Sequence, residues 1–250
     1  MLLGRLRGHL ADQNWLAVTV DITVVLVSIL LAFQIERWAE DRRDQHLELE
    51  YLLRLKIDLQ MEIGQMDTAL GYVNDRAQAV KLLEMLVRDP SNPDISYASL
   101  PWAIETATWR SFPQIASFVY RELQSTGNLA LIEAESLRRN LAGHYTLLQN
   151  DAQIGQDLDL QHLFDRKTAG LLTSDELIEV ENAGSPNQTA NISSARALEI
   201  AEAFSQNQGA VAILPSLVHH HAFTEKVILQ AKGRTQQLIF QIDELVTQLD

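Results

Sequence analysis

Hydrophobic and polar positions divide this chain into one continuous apolar run followed by stripes in which apolar residues recur every three or four positions. The run extends from Trp15 to Phe33 and holds no Lys, Arg, Pro or Gly and a single ionisable residue, Asp21. Roughly 19 mostly apolar residues are what an α-helix needs to cross a ~30 Å hydrocarbon core. Trp15 and Trp38 bracket it, about 23 residues or ~34 Å apart, so both indoles fall at headgroup depth. The pattern predicts a membrane-spanning helix over residues 15–38. A short basic tail, 1–14, precedes it, and 39–250 form an extramembrane domain. A cleaved signal sequence fits less well, because the run is long and its flank lacks a small-x-small site in the usual place. A buried helix is seldom apolar on every face at this length.

Beyond Glu36 the helix is expected to continue unbroken, with a stripe at Leu52, Leu55, Leu59, Ile63, Met66, Leu70, Val73, Ala77, Val80, Leu83 and Val87, close to a coiled-coil seam. Arg88-Asp-Pro-Ser-Asn-Pro-Asp94 ends it. Ser99-Leu-Pro-Trp102 opens a short helix. Another is expected from Ser111-Phe-Pro113 to Ser125, with Phe112, Ile115, Phe118, Val119 and Leu123 facing a core and Gly127 as a left-handed C-cap. The next stripe holds Leu137, Leu141, His144/Tyr145, Leu148, Ala152, Gly155 and Leu158. Thr173-Ser-Asp-Glu176 is a capping box, residues 181–194 read as a surface loop, and a helix follows over Ala195–Gln208. The last stripe runs Leu217, His221, Thr224, Ile228, Ala231, Thr235, Leu238, Ile242, Leu245, Leu249. Its first half is polar at the seam and its second apolar, so the C-terminal end should pack better. No strand-like alternation occurs. The expected fold is all-α: a transmembrane helix continuing into a bundle of long antiparallel helices, with shorter helices packed across it.

Composition narrows the partners. The net charge is −13, and residues 1–43 carry equal numbers of acidic and basic residues, so the whole excess lies beyond the apolar run. An acidic domain is repelled by phosphate backbones, which argues against nucleic acid. There is no cysteine, which removes disulfides, thiol chemistry and cysteine-ligated metals. The basic residues flanking the run scarcely decide orientation. A short basic tail followed by a long acidic domain favours a bacterial inner-membrane protein with a periplasmic C-terminal domain.

Asp21-Ile-x-x-Val-Val-x-x-Ser-Ile-Leu-Leu-Ala-Phe-Gln-Ile-Glu-Arg-Trp-Ala-Glu-x-Arg42 resembles the opening of a bacterial family of uncharacterised single-pass membrane proteins, G-E-I-x-L-V-V-x-G-I-x-I-A-L-x-x-x-x-W-N-E-x-R. Asp21 stands at that family's Glu, Ser28 at its second Gly, and Trp38 and Glu40 at its W-x-E. A second block, Tyr120-Arg-Glu-Leu-Gln-Ser-Thr-Gly-Asn-Leu-Ala-Leu-Ile132 followed by Leu137-Arg138 and Tyr145, is similar to its L-x-x-S-G-x-L-x-L-I … L-R-x-x-L-x-x-Y-Y. Thr126 replaces the Ser, His144 the first Tyr and Val20 the first Gly. The likeness covers about residues 15–150 and implies an anchored helical domain without a function to carry over.

Candidate chemistry is sparse. Asp21, Ser28 and Ala32 fall within about 60° of one another on a helix; Ser28 and Ala32 are small and four apart, a face suited to helix pairing. A lone carboxylate in a single span has no second site for a proton relay. His219-His220-His221 point ~100° apart on a helix and cannot chelate together; Glu225, His144 or His162 would have to complete a site. No Glu-x-x-His occurs, so a bundle di-metal centre is excluded, and no nucleophile elbow, P-loop or dinucleotide fingerprint is present. Trp102 and Trp109 mark the one aromatic cluster able to line a ligand pocket. The expectation is a membrane-anchored structural or interaction module without catalytic motif, metal or cofactor. It meets the lipid bilayer and docks a membrane protein partner or a second copy of itself. The alternative is a ligand-sensing bundle that works through a partner protein.

Overall fold

A computed structural model of the protein describes residues 15–109, 112–113, 115, 117–154, 158–183 and 192–249, with side-chain surroundings for all of these except 15–18, 21, 152–154 and 158. The basic tail expected over 1–14 and most of the loop expected over 181–194 lie outside the described residues. Helix α1, Trp15–Arg88, is 74 residues long. It is followed by α2 (Leu100–Thr106), α3 (Phe118–Thr126), α4 (Glu135–Ile154) and α5 (Leu158–Thr168). Then come α6 (Ser174–Ala183), α7 (Ser194–Gln206), α8 (Gln208–Val211) and α9 (Leu214–Leu249). No strand occurs among the described residues, so the all-α bundle holds.

Helices α1 and α9 form the frame, and they run antiparallel. Lys56 Nζ pairs with Asp243 Oδ1 at 2.5 Å near one end, and Lys232 pairs with Asp67 further along. The central line of buried positions on α1, flanked by the buried Tyr51, Asp58, Ala79 and Leu86, is Glu48, Leu52, Leu55, Leu59, Glu62, Met66, Ala69, Val73, Arg76, Val80 and Leu83. They alternate four and three residues apart. That is an unbroken heptad register, which keeps one seam facing the same partner. The expected stripe departs from it at Ile63, Leu70 and Ala77. These are half-buried or exposed, and their neighbours Glu62, Ala69 and Arg76 take the seam. An apolar-only reading steps around a charged residue, whereas the helix cannot rotate locally and buries it.

Two apolar cores lie along this frame. The proximal core, on the Trp15 side, joins α1 from Tyr51 to Val73 with α3, α4 and α9 from Ile228 to Ile242. The distal core joins α1 from Ala79 to Leu86 with α2, α5, α6, α7, α8 and the first turn of α9, around Phe164 and Phe204. Each fully buried Leu or Phe contributes roughly 1.5–3 kcal/mol by leaving water.

Local signals explain most helix ends. The capping box forms: Thr173 N–H donates to Glu176 Oε2 at 2.7 Å, and Glu176 N–H to Thr173 Oγ1 at 3.3 Å. Gly127 ends α3 at φ 77, a conformation open to glycine without strain. Ser193 caps α7 by accepting from Arg196 N–H. Ser99 precedes α2 without capping it; its hydroxyl pairs with that of Ser96. Helix α3 begins at Phe118 rather than near Ser111, a residue outside those described, and Phe112, Pro113 and Ile115 are not helical. Pro113 disfavours helical backbone at the residue before it. The helix starts where the Asp58 carboxylate of α1 accepts the Val119 N–H at 2.9 Å. Phe118 is consequently exposed instead of facing the core. Helix α7 stops at Gln206, two residues short of the expected end, and Gln208 and Gly209 belong to the short α8.

The C-terminal half of α9 is not the better-packed half. His221, Thr224 and Thr235 are buried, while Leu245 is half-buried and Leu249 exposed. Both threonine hydroxyls donate to carbonyls four residues back, so they enter the seam already satisfied. Leu249 runs out because the bundle stops near its level: below Leu47, every described side chain of α1 is exposed.

Candidate functional site

From Thr19 to His46 every described side chain of α1 is exposed. Among the described residues this is the one helix long and apolar enough to cross a membrane. Trp15 and Asp21 belong to α1, but their side chains lie outside the description. Ser28, Ala32 and Trp38 are exposed on it, and the Ser28 hydroxyl donates to the Val24 carbonyl at 2.7 Å. At 3.6 residues per turn the face holding Ser28 and Ala32 returns at Leu53, Ile57 and Gly64, all within about 60°, roughly opposite the buried seam. Leu53 and Ile57 are 45% and 56% exposed, Gly64 is exposed, and a Cβ at Gly64 would meet nothing within 4 Å.

Inside the proximal core lies a buried polar cluster. His144 Nε2 is 3.1 Å from Glu62 Oε2, with the two side chains 2% and 3% exposed. The Tyr145 ring stands edge-on to His144 and stacks on Tyr120 with centroids 4.4 Å apart. Among the described residues Glu62 Oε1, His144 Nδ1 and the Tyr145 hydroxyl make no hydrogen bond within 3.5 Å, although the phenol lies close enough to Glu62 to feel its carboxylate. Burial, followed by the Glu62 carboxylate, holds the Tyr145 phenol far above its ordinary pKa, so it stays a neutral donor. Glu48, whose Oε1 accepts the Glu133 N–H at 2.8 Å, is pushed up by burial.

This cluster backs onto a groove of about 260 Å³ between α4 and α9, lined by Gly143, His144, Leu147, Arg234, Leu238 and Gln241 among others. Arg234 Nη2 donates to Asp151 Oδ2 at 2.5 Å, while its Nε is buried without an acceptor. At the mouth, Asn140 Nδ2 donates to Gln241 Oε1 at 3.0 Å.

A polar layer separates the two cores. Arg76 is buried with Nε and Nη1 unpartnered, its guanidinium over the rings of Tyr72 and Trp109 at 5.0 and 6.0 Å. Desolvation lowers its pKa. The ring faces supply a cation–π attraction, and the charge of the neighbouring Asp75 carboxylate offsets part of the desolvation. His221 Nε2–H donates to the Ala107 carbonyl at 2.8 Å. Burial, the largest cause, pushes its pKa down to about 4. The histidine triplet is thus divided: His221 fills the seam, His219 is exposed and the His220 ring lies 5.6 Å from that of His221. Among the described residues no group of three His, Asp or Glu is placed to hold a metal ion.

The two tryptophans also part. Trp102 is buried in the distal core. Trp109 lines a cleft of about 280 Å³ with Glu105, Gln161, Asp165 and Thr168. Burial raises the Glu105 pKa, with Asp165 and Glu181 adding to it, and Asp165 accepts from the Thr108 hydroxyl at 3.1 Å. The polar residues that the sequence reading missed, Glu62, Arg76 and Arg234, have one usable signal. Glu62 and Arg76 each stand three after and four before a buried apolar residue, Leu59 and Met66 for the one and Val73 and Val80 for the other, inside a heptad.

No family model matches the chain, and no curated protein or solved structure matches it.

Proposed function

We propose that the protein is a single-pass, membrane-anchored interaction module that self-associates along the outward face of α1. The carrying observation is the continuity of that face. Ser28 and Ala32 in the apolar segment, and Leu53, Ile57 and Gly64 beside the bundle, share one side of one unbroken helix. In a bilayer all copies point the same way. Two α1 helices therefore meet in parallel, each residue facing its counterpart across a two-fold axis. Small residues allow close approach inside the hydrocarbon core, where packing drives pairing. Leu53 and Ile57 add apolar burial in water. Trp38 marks the interface end of the anchor, with the acidic bundle on the periplasmic side of a bacterial inner membrane.

The chain has no cysteine, so single substitutions report pairing directly. Oxidation of Leu53→Cys or Ile57→Cys in membranes should give disulfide-linked dimers, because the Cα atoms of facing residues come within about 7 Å. Gln65→Cys, a quarter-turn away, should remain monomeric. Equal cross-linking at all three, or none at Leu53 and Ile57, would sink the reading.

A further inference from the structure

We infer that His46 and Glu50 of two copies, brought together when the α1 helices pair, form a zinc site of two histidines and two glutamates. The inference rests on the self-association proposed above and names what regulates it. Three observations carry it. First, the pairing face of α1 is small or apolar except at one place. At 3.6 residues per turn its ~60° arc takes in, between Ala32 and Ile57, only Ile35, Ala39, His46, Glu50 and Leu53. Glu40, Asp41, Arg42, Arg43 and Asp44, the charges next to it, all fall outside that arc. Second, His46 and Glu50 are four apart, so their Cβ atoms stand about 5–6 Å from one another on one side of the helix. From that spacing one helix lends two ligands to a metal. Within one copy no described group of three His, Asp or Glu stands together. The two-fold axis doubles the pair to four, the number zinc takes in a closed tetrahedral site. Third, both side chains are exposed and make no hydrogen bond or ion pair among the described residues. Arg54, one turn above Glu50, is held by Glu122 instead. His46 stands ~12 Å beyond Trp38 along the helix, where zinc reaches it from water. Pairing without a cation sets the two Glu50 carboxylates against each other, and a bound zinc ion turns that repulsion into attraction.

The test is equilibrium sedimentation of the full-length protein in detergent, with zinc chloride or with a chelator. Zinc should bind at one ion per two chains and lower the dimer dissociation constant about tenfold or more. Magnesium, which keeps to octahedral oxygen sites, should leave it unchanged. His46→Ala and Glu50→Gln should each remove the zinc response; both positions are exposed, so neither change disturbs the fold. Disulfide formation by Ile57→Cys in chelator reads the pairing itself, and adding His46→Ala should not alter it. If Ile57→Cys fails to cross-link, the self-association reading falls and this inference with it. If it cross-links while zinc leaves the dimer unchanged, or binds once per chain, the zinc site alone is overturned. A His46→Ala protein that answers zinc like the parent would put the metal on other histidines, such as the exposed His219, and would equally overturn the assignment.

Discussion

The two cores of this bundle solve the same packing problem with different materials. Among the described residues the distal core, around Phe164 and Phe204, packs apolar side chains of short helices against the ends of α1 and α9, with α6, α7 and α8 each carrying an N-cap of its own. The proximal core encloses Asp58, Glu62 and His144 between the long helices α1, α4 and α9 and the short α3. Apolar packing alone holds a fold more cheaply than a buried ion pair of the same volume. The distal core therefore reads as the part that stabilises the frame. The proximal core carries groups whose presence stability does not require, and they border the α4–α9 groove.

That contrast can be broken by measurement. Phe204→Ala in the distal core should remove about 4 kcal/mol of unfolding free energy, since a fully buried ring leaves a cavity. Urea denaturation with an unchanged slope would register it. In the proximal core, Glu62→Leu should cost about 3 kcal/mol, because it strands the partner of a buried pair. The double change Glu62→Leu/His144→Leu should return to within ~1 kcal/mol of the parent. A double variant as unstable as the single one would mean that the pair itself holds the core.

The layer between the cores makes a pH prediction. His221 has a folded pKa of about 4 against an ordinary 6.5. As pH falls below 6.5 the unfolded chain takes up the proton first, so stability is complete above 6.5 and is lost progressively down to pH 4. The full span is worth about 3 kcal/mol. Carboxylates titrate in the same range, so the readout is the difference from His221→Gln, whose stability should fall less steeply over that window. The smallest effect belongs to the cap of α6. Thr173→Ala removes the hydroxyl that accepts the Glu176 N–H and should lower stability by about 1 kcal/mol. Arg196, at 2.7 Å from Glu176, still holds that helix in place.

Legibility in the sequence followed the range of the interaction. The capping box at Thr173–Glu176 and the glycine stop at Gly127 were readable because each depends on residues within one turn. The start of α3 was not, since the N–H of its second residue, Val119, is accepted by Asp58, sixty-one residues earlier. The pairing of Glu62 with His144 spans 82 residues and joins two stripes that the sequence shows only separately. Trp102 and Trp109 looked alike as neighbours on a helical stretch; the end of α2 at Thr106 sends one into the core and leaves the other at the cleft.

The sequence alone determined the long apolar run, the all-helical class and the stripes of α1, α4 and α9, because these follow from periodicity and composition that each helix carries within itself. Tertiary structure decided which charged residues enter the seam. Glu62 and Arg76 are buried because a rigid helix keeps its register over many turns. Tertiary structure also decided where α9 stops being useful, since Leu249 has an apolar side chain but no surface left to cover. Periodicity assigns a side chain to a face; only the opposing helix determines whether that face is closed.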